Sequence, residues 1–170
     1  NDTFAVTMDD DTGNTRYILQ RINHNIFKQP ELLIENIARV TKHIGGKLKS
    51  SGAHDAERRT LTLLPTLENK DFHVDADGNY WRAYIFIEQA TTYDAPEKPE
   101  QVYEAAKAFG LFQKELMDLP APQLHETIPF FHDTRQRFND LMAAVESDPC
   151  NRAQEIKEDI QRAAFLSVIH

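Results

Sequence analysis

The spacing of apolar residues changes once along this chain, and that change limits the folds open to it. Ahead of residue 90 apolar residues alternate in short runs, whereas beyond a polar stretch with two prolines they recur at helical intervals. Phe4, Val6 and Met8 alternate with Ala5 and Thr7, and Asp9-Asp10-Asp11-Thr12-Gly13-Asn14 supplies turn chemistry. Tyr17, Ile18, Leu19 and Ile22 form the returning run, so a hairpin is predicted. From Pro30, a favourable first helical residue, Leu33, Ile37, Val40 and Ile44 follow a helical period, with Gly45-Gly46 as the expected stop. Residues 50–59 are polar and aperiodic and read as a loop. A strand is expected over residues 61–67. A second hairpin turns at Asp75-Ala76-Asp77-Gly78-Asn79 and returns through residues 80–87, which are rich in aromatic and β-branched side chains.

Thr91-Thr92-Tyr93-Asp94-Ala95-Pro96-Glu97-Lys98-Pro99 reads as a hinge. Val102, Ala106, Phe109, Gln113 and Leu116 then trace one helix that must stop by Pro120. Phe138, Leu141, Met142 and Val145 trace a second, ending near Asp148-Pro149. Asn151 is expected to cap a third, with Gln154 in the reciprocal position, Ile156, Ile160 and Ala164 facing inward, and an end at Ile169-His170. The layout is α+β: an antiparallel sheet with one helix over residues 1–90, a linker over 91–100, and helices only over 101–170. Apolar positions left over on the last helix imply a helical half that is incomplete or covered by another chain.

A chain of 170 residues can bury a real core. Its 19 Lys+Arg against 27 Asp+Glu give a net charge of -8, which argues against nucleic acid and anionic membranes as partners. The single cysteine, Cys150, cannot form an internal disulfide and suits a reducing compartment, so cytoplasm is expected. No apolar run approaches the ~18 residues of a membrane span, and Asn1-Asp2-Thr3-Phe4 lacks the layout of a signal peptide. Asn1-Asp2-Thr3 matches a glycosylation sequon, a reading that would require secretion.

His24, His43, His54, His73, His125, His132 and His170 are scattered, with no helical pair of the zinc-hydrolase kind, so no metal site is expected from them. Asp75-Ala76-Asp77-Gly78-Asn79 is too short for a calcium loop and has Phe86 where the bidentate Glu belongs, which favours a hairpin turn. Neither a G-x-x-x-x-G-K-S/T loop nor a G-x-G-x-x-G fingerprint occurs. The polar start at Asn1, Thr3 and Phe4 can offer amides and a hydroxyl to phosphate oxygens, or can be an ordinary strand start. Arg21 is the one basic residue between Arg16 and Lys28, and serves either as a cation for phosphate charge or as an exposed strand charge. Glu35 lies about 200° around from Leu33 and Ile37 and four residues before Arg39, so a solvated ion pair with Arg39 is expected. Phe86, Ile87, Glu88, Gln89 and Ala90 leave the sheet with backbone groups suited to a flat heterocycle. His132, Asp133 and Arg135 either contact a polar substrate or cap the following helix.

Several segments together resemble the N-acetylhexosamine 1-kinases, a branch of the aminoglycoside and choline kinase-like phosphotransferases. They are Tyr17-Ile18-Leu19-Gln20 running into Arg21-Ile22-Asn23, Ile26-Phe27, Val40-Thr41, Trp81-Arg82-Ala83-Tyr84-Ile85-Phe86-Ile87-Glu88 and Ala108-Phe109-Gly110-Leu111-Phe112-Gln113. Most specific is Glu126-Thr127-Ile128-Pro129-Phe130-Phe131-His132-Asp133-Thr134 with Arg137-Phe138. The resemblance implies a protein-kinase-like fold in which ATP lies between a sheet lobe and a helical lobe. It implies magnesium-assisted transfer of a phosphoryl group to the anomeric hydroxyl of N-acetylglucosamine or N-acetylgalactosamine.

On that resemblance Asn1, Thr3 and Phe4 cover the phosphates, and Gln20 or Arg21 fills the slot of the usual strand lysine, with Arg21 as the phosphate-facing cation. Phe86, Ile87, Glu88 and Ala90 hold adenine, while His132 and Arg135 face the acceptor. The family's catalytic aspartate belongs to a His-Asn-Asp loop, with magnesium held by an Asp-x-Asp segment downstream of it. The chain has no such loop, and so no segment following one. It is therefore expected to be a fragment that does not turn over alone and binds ATP weakly, because magnesium and its carboxylates neutralise phosphate charge. Two alternatives remain open: a kinase of an aminoglycoside, choline or homoserine, and a non-catalytic module that self-associates through an uncovered helical face.

Overall fold

The computed structural model describes residues 1–10 and 13–167, and the chain forms two compact units, residues 1–127 and residues from 128 onward. The first unit is α+β. Its strands are β1 (Asp2–Asp10), β2 (Gly13–Arg21), β3 (Leu63–Leu64), β4 (His73–Val74) and β5 (Tyr80–Ile85); its helices are α1 (Pro30–Ser50), α2 (Ala56–Arg59) and α3 (Pro99–Leu116). The five strands make one antiparallel sheet in the order β1-β2-β5-β3, and β4 also pairs with β5. β3 and β4 lie end to end along the same side of β5, since Leu63 and Leu64 face Tyr84 and Ala83 while His73 and Val74 face Trp81 and Tyr80.

Strand side chains alternate between faces, so the register assigns each residue to a side. Thr3, Gln20 and Arg82 stand in one cross-strand row; Asp2, Arg21 and Trp81 stand in the neighbouring row, on the opposite face. Tyr80 shares the parity of Arg82 and donates its hydroxyl to Glu31 of α1, which identifies that face as the one toward α1. Ile22 and Ile34 are each 1 % exposed and centre the core, and burying each stabilises the fold by roughly 1.5–3 kcal/mol. Ala38 joins them, and Ile44, Leu48 and Ala56 form a second cluster backed by Val40, Ala53 and Leu116. Every buried residue among those described lies between Ile22 and Ala56.

Several elements depart from the sequence expectation for local reasons. α1 runs through Gly45 and Gly46 to Ser50, because the next turn carries Leu48 into the second cluster and outweighs the roughly 1 kcal/mol cost of each glycine. The expected loop over residues 50–59 contains the single turn α2, drawn in by buried Ala56. The expected strand over 61–67 shrinks to β3 because Pro65 has no N–H for the ladder, and Leu67 beyond it is fully exposed. Gln101 caps α3, its Oε1 accepting from the backbone N–H of Lys98 at 3.0 Å, so the helix starts inside the expected linker.

The C-terminal end of α3 is tied to α1. Lys47 Nζ lies 2.7 Å from Asp118 Oδ1 and 3.0 Å from the Glu115 carbonyl, and His43 Nε2 lies 3.1 Å from each of the same two oxygens. Between α1 and α3 is an apolar cleft of about 700 Å³, lined in part by Ile37, Val40, Ile44, Leu111 and Phe112.

The second unit contains α4 (Thr134–Ser147) and α5 (Lys157–Ser167). Asp133 caps α4 by accepting from the Gln136 N–H at 2.8 Å, and Asp148 ends it in the left-handed region at φ 30°. Asn151 does not cap α5. It occupies a turn at φ 52°, where the Asp148 carboxylate accepts from the N–H groups of Arg152 and Ala153 and delays the helix to Lys157. The expected helix end at Ile169-His170 lies outside the described residues. No helix among the described residues is long and apolar enough to cross a membrane.

Candidate functional site

The row across β1, β2 and β5 on the α1 side of the sheet is the most chemically organised feature of the first unit. Thr3 Oγ1 accepts from Gln20 Nε2 at 2.8 Å, and Gln20 Oε1 accepts from Arg82 Nε at 3.0 Å and Arg82 Nη2 at 2.6 Å. The register that pairs Thr3 with Gln20 and Gln20 with Arg82 is what links three side chains from three strands. Arg82 Nη1 is buried and has no hydrogen-bond partner. Burial pushes the Arg82 guanidinium below its ordinary pKa, with a small opposing effect from Tyr84, yet an arginine in a protein stays charged.

Arg21 is turned to the other face. There its Nε donates to Asp2 Oδ2 at 2.8 Å, its guanidinium carbon lies 5.9 Å from the Trp81 ring centroid, and Phe4 tilts against Trp81 at 6.2 Å. Asn1 Oδ1 accepts from the Asn23 N–H at 2.6 Å, and Asn1 and Arg21 line a polar hollow of about 290 Å³ with Asp2, Asn23, His24 and Asn25. The structure thus brings Asn1 and Arg21 together, while Gln20 and Thr3 belong to a different face.

The segment leaving β5 is held from two directions. Arg16 lies over the Phe86 ring at 3.7 Å and pairs with Glu88 Oε2 at 3.0 Å, and Arg58 of α2 donates to the Glu88 carbonyl at 2.6 Å. Ile87 is half-buried, Ala90 is exposed, and Gln89 between them has φ 56°. Arg58 takes one lone pair of the Glu88 carbonyl and leaves the other to a second donor.

Glu35 does not pair with Arg39, contrary to the expected surface ion pair. Asn36 clamps the His125 backbone, donating to its carbonyl at 2.8 Å and accepting its N–H at 2.9 Å, which brings the His125 ring to α1. His125 Nε2 comes within 3.2 Å of Glu35 Oε2, close enough for an ion pair but not aligned for a hydrogen bond. Arg39 instead donates to the carbonyls of Pro120 and Pro122.

In the second unit His132 is exposed and meets the Phe131 ring edge-on at 4.9 Å. Arg135 lies exposed on the first turn of α4, and Asp133 between the two is the helix cap.

Arg82 is the residue that sequence reasoning passed over. Its signal was a lone charge inside the apolar run of β5, at the parity that faces the helix. No model of a known protein family matches this sequence.

Proposed function

We propose that the chain is the nucleotide-clasping part of a bilobal, protein-kinase-like phosphotransferase that phosphorylates the anomeric hydroxyl of an N-acetylhexosamine. The observation that carries this reading is the order β1-β2-β5-β3 with α1 inserted after β2, packed on one face, and a polar segment leaving directly from central β5. Such an arrangement leaves the end of β5 as an edge where backbone groups can meet adenine, and one sheet face where phosphates can lie. The hexosamine acceptor rests on the resemblance of residues 126–138, with His132 and Arg135 as its contacts. Aminoglycoside, choline and homoserine are the competing acceptors.

Among the described residues no three His, Cys, Asp or Glu side chains converge to hold an ion, so the residues present do not fit a magnesium site and no step is routed through one. The contribution of this chain is positioning: an edge at residues 86–90 held by Arg16 and Arg58, and cationic groups on the sheet.

Titrating the ¹⁵N-labelled chain with adenosine tests the reading. Saturable shifts confined to residues 86–90 are expected, and unchanged spectra at millimolar adenosine would refute it. Incubation with ATP, magnesium and N-acetylglucosamine is expected to yield no sugar 1-phosphate.

A second reading, a non-catalytic pairing module, is favoured by the exposed apolar side chains of α3, where Phe109 is 73 % and Phe112 46 % exposed. Light scattering separates the two, since a stable dimer at micromolar concentration supports pairing.

A further inference from the structure

Three arginines stand on the central strands, and their circumstances differ. Arg16 has the Glu88 carboxylate and Arg21 has the Asp2 carboxylate. Among the described residues Arg82 has no carboxylate within ion-pair distance, although its Nη1 is buried and lacks any acceptor. A charge withdrawn from water without a counter-ion is costly, and an anion brought to it recovers that cost.

Its neighbours are arranged to help. Gln20 Oε1 accepts two N–H groups of one edge of the guanidinium, which fixes the plane and leaves Nη1 directed away. Gln20 Nε2 spends one hydrogen on Thr3 and keeps a second, and Thr3, accepting from Gln20, keeps its own O–H to donate. The result is a row with three donors to spare: the Thr3 hydroxyl, the Gln20 amide and Arg82 Nη1. Neighbouring strands lie about 4.8 Å apart, so the row extends over roughly 10 Å. That length suits a chain of linked phosphoryl groups better than a single carboxylate. The row is exposed at Thr3 and partly exposed at Gln20 and Arg82, so a modest side-chain shift brings Nη1 to an incoming oxygen.

We infer that Thr3, Gln20 and Arg82 form a polyphosphate subsite on the α1-facing side of the sheet, with Arg82 rather than Arg21 as its cation. The inference rests on the phosphotransferase reading for the identity of the natural ligand, a nucleoside di- or triphosphate, but the subsite is testable without the nucleoside.

The test is calorimetric titration of the full chain with pyrophosphate, with acetate and with adenosine at low ionic strength. Saturable pyrophosphate binding at least tenfold tighter than acetate is expected. Arg82→Gln is expected to weaken it at least tenfold, and Arg21→Gln less than twofold. Should Arg82→Gln fail to fold by circular dichroism, Thr3→Val on the exposed edge strand is the substitute, with an expected threefold weakening. Absence of pyrophosphate binding, equal affinity for acetate, or greater loss in Arg21→Gln than in Arg82→Gln overturns the subsite. Adenosine reports separately on residues 86–90: its failure to bind, with pyrophosphate binding intact, removes the nucleotide reading and leaves the anion site standing.

Discussion

Arg16 lies over Phe86, its guanidinium carbon 3.7 Å from the ring centroid, so the first residue beyond β5 is clamped by the strand beside it. The same side chain reaches Glu88 at 3.0 Å, which extends the clamp to the segment proposed to meet adenine. Arg16→Ala is expected to lower the ¹⁵N order parameters of residues 87–90 while changing global stability by only about 0.5–1 kcal/mol, the size of an exposed cation–π contact. Unchanged order parameters would show that Arg58 holds the segment alone.

Asp75 stabilises its turn as an anion. Its carboxylate accepts from Trp81 Nε1 at 2.7 Å and from the Asn79 and Asp77 N–H groups at 2.8 and 3.0 Å, and these bonds, that of Trp81 foremost, hold its pKa at about 2. The folded value is below the ordinary 3.8, so the stabilisation is complete above about pH 4 and is lost as pH falls toward 2. Trp81 is the single tryptophan, so its fluorescence should titrate with a midpoint near 2. Asp75→Asn should abolish that titration and lower the melting temperature at pH 7.

Asp118 fastens the end of α3 to α1 and is sensitive at both ends of the pH scale. Lys47, foremost, and then His43 hold its carboxyl below the usual range, and Asp118 in turn raises Lys47 above 10.5. The carboxylate contribution is therefore lost as pH falls below about 4, and the ammonium contribution is lost as pH rises through the elevated lysine value. Asp118→Ala should reduce the melting temperature most between those limits, with the difference shrinking in high salt.

Ile34 packs at the centre of the core at 1 % exposure. Ile34→Ala should cost about 2–5 kcal/mol in urea unfolding, because sheet and helix cannot both close on the space left behind. A loss under 1 kcal/mol would mean that α1 shifts to fill it.

The hairpin of β1 and β2, the start of α1 at Pro30 and the C-terminal ends of α3 and α4 were legible because period, proline and turn chemistry agree there. The Gly45-Gly46 stop failed because burial of Leu48 lies one turn further on, beyond the reach of a local signal. Asn151 misled in the same way, since Asp148 takes the N–H groups that a cap at Asn151 was expected to organise. The site was harder to read. Parity alone could separate Arg21 from Gln20, but knowing which face meets α1 required the Tyr80 to Glu31 contact, made across 49 positions of chain. Arg82 stood in plain view within β5, and only the register with Gln20 reveals that its Nη1 is left without an acceptor.

Since the tightly packed side chains among the described residues are confined to the span from Ile22 to Ala56, the first unit is built on a keel rather than evenly filled. Amide hydrogens along the middle of α1 should be the last to exchange with deuterated solvent, those of α3 and α4 should exchange far earlier, and partial unfolding should peel helices away before the keel opens.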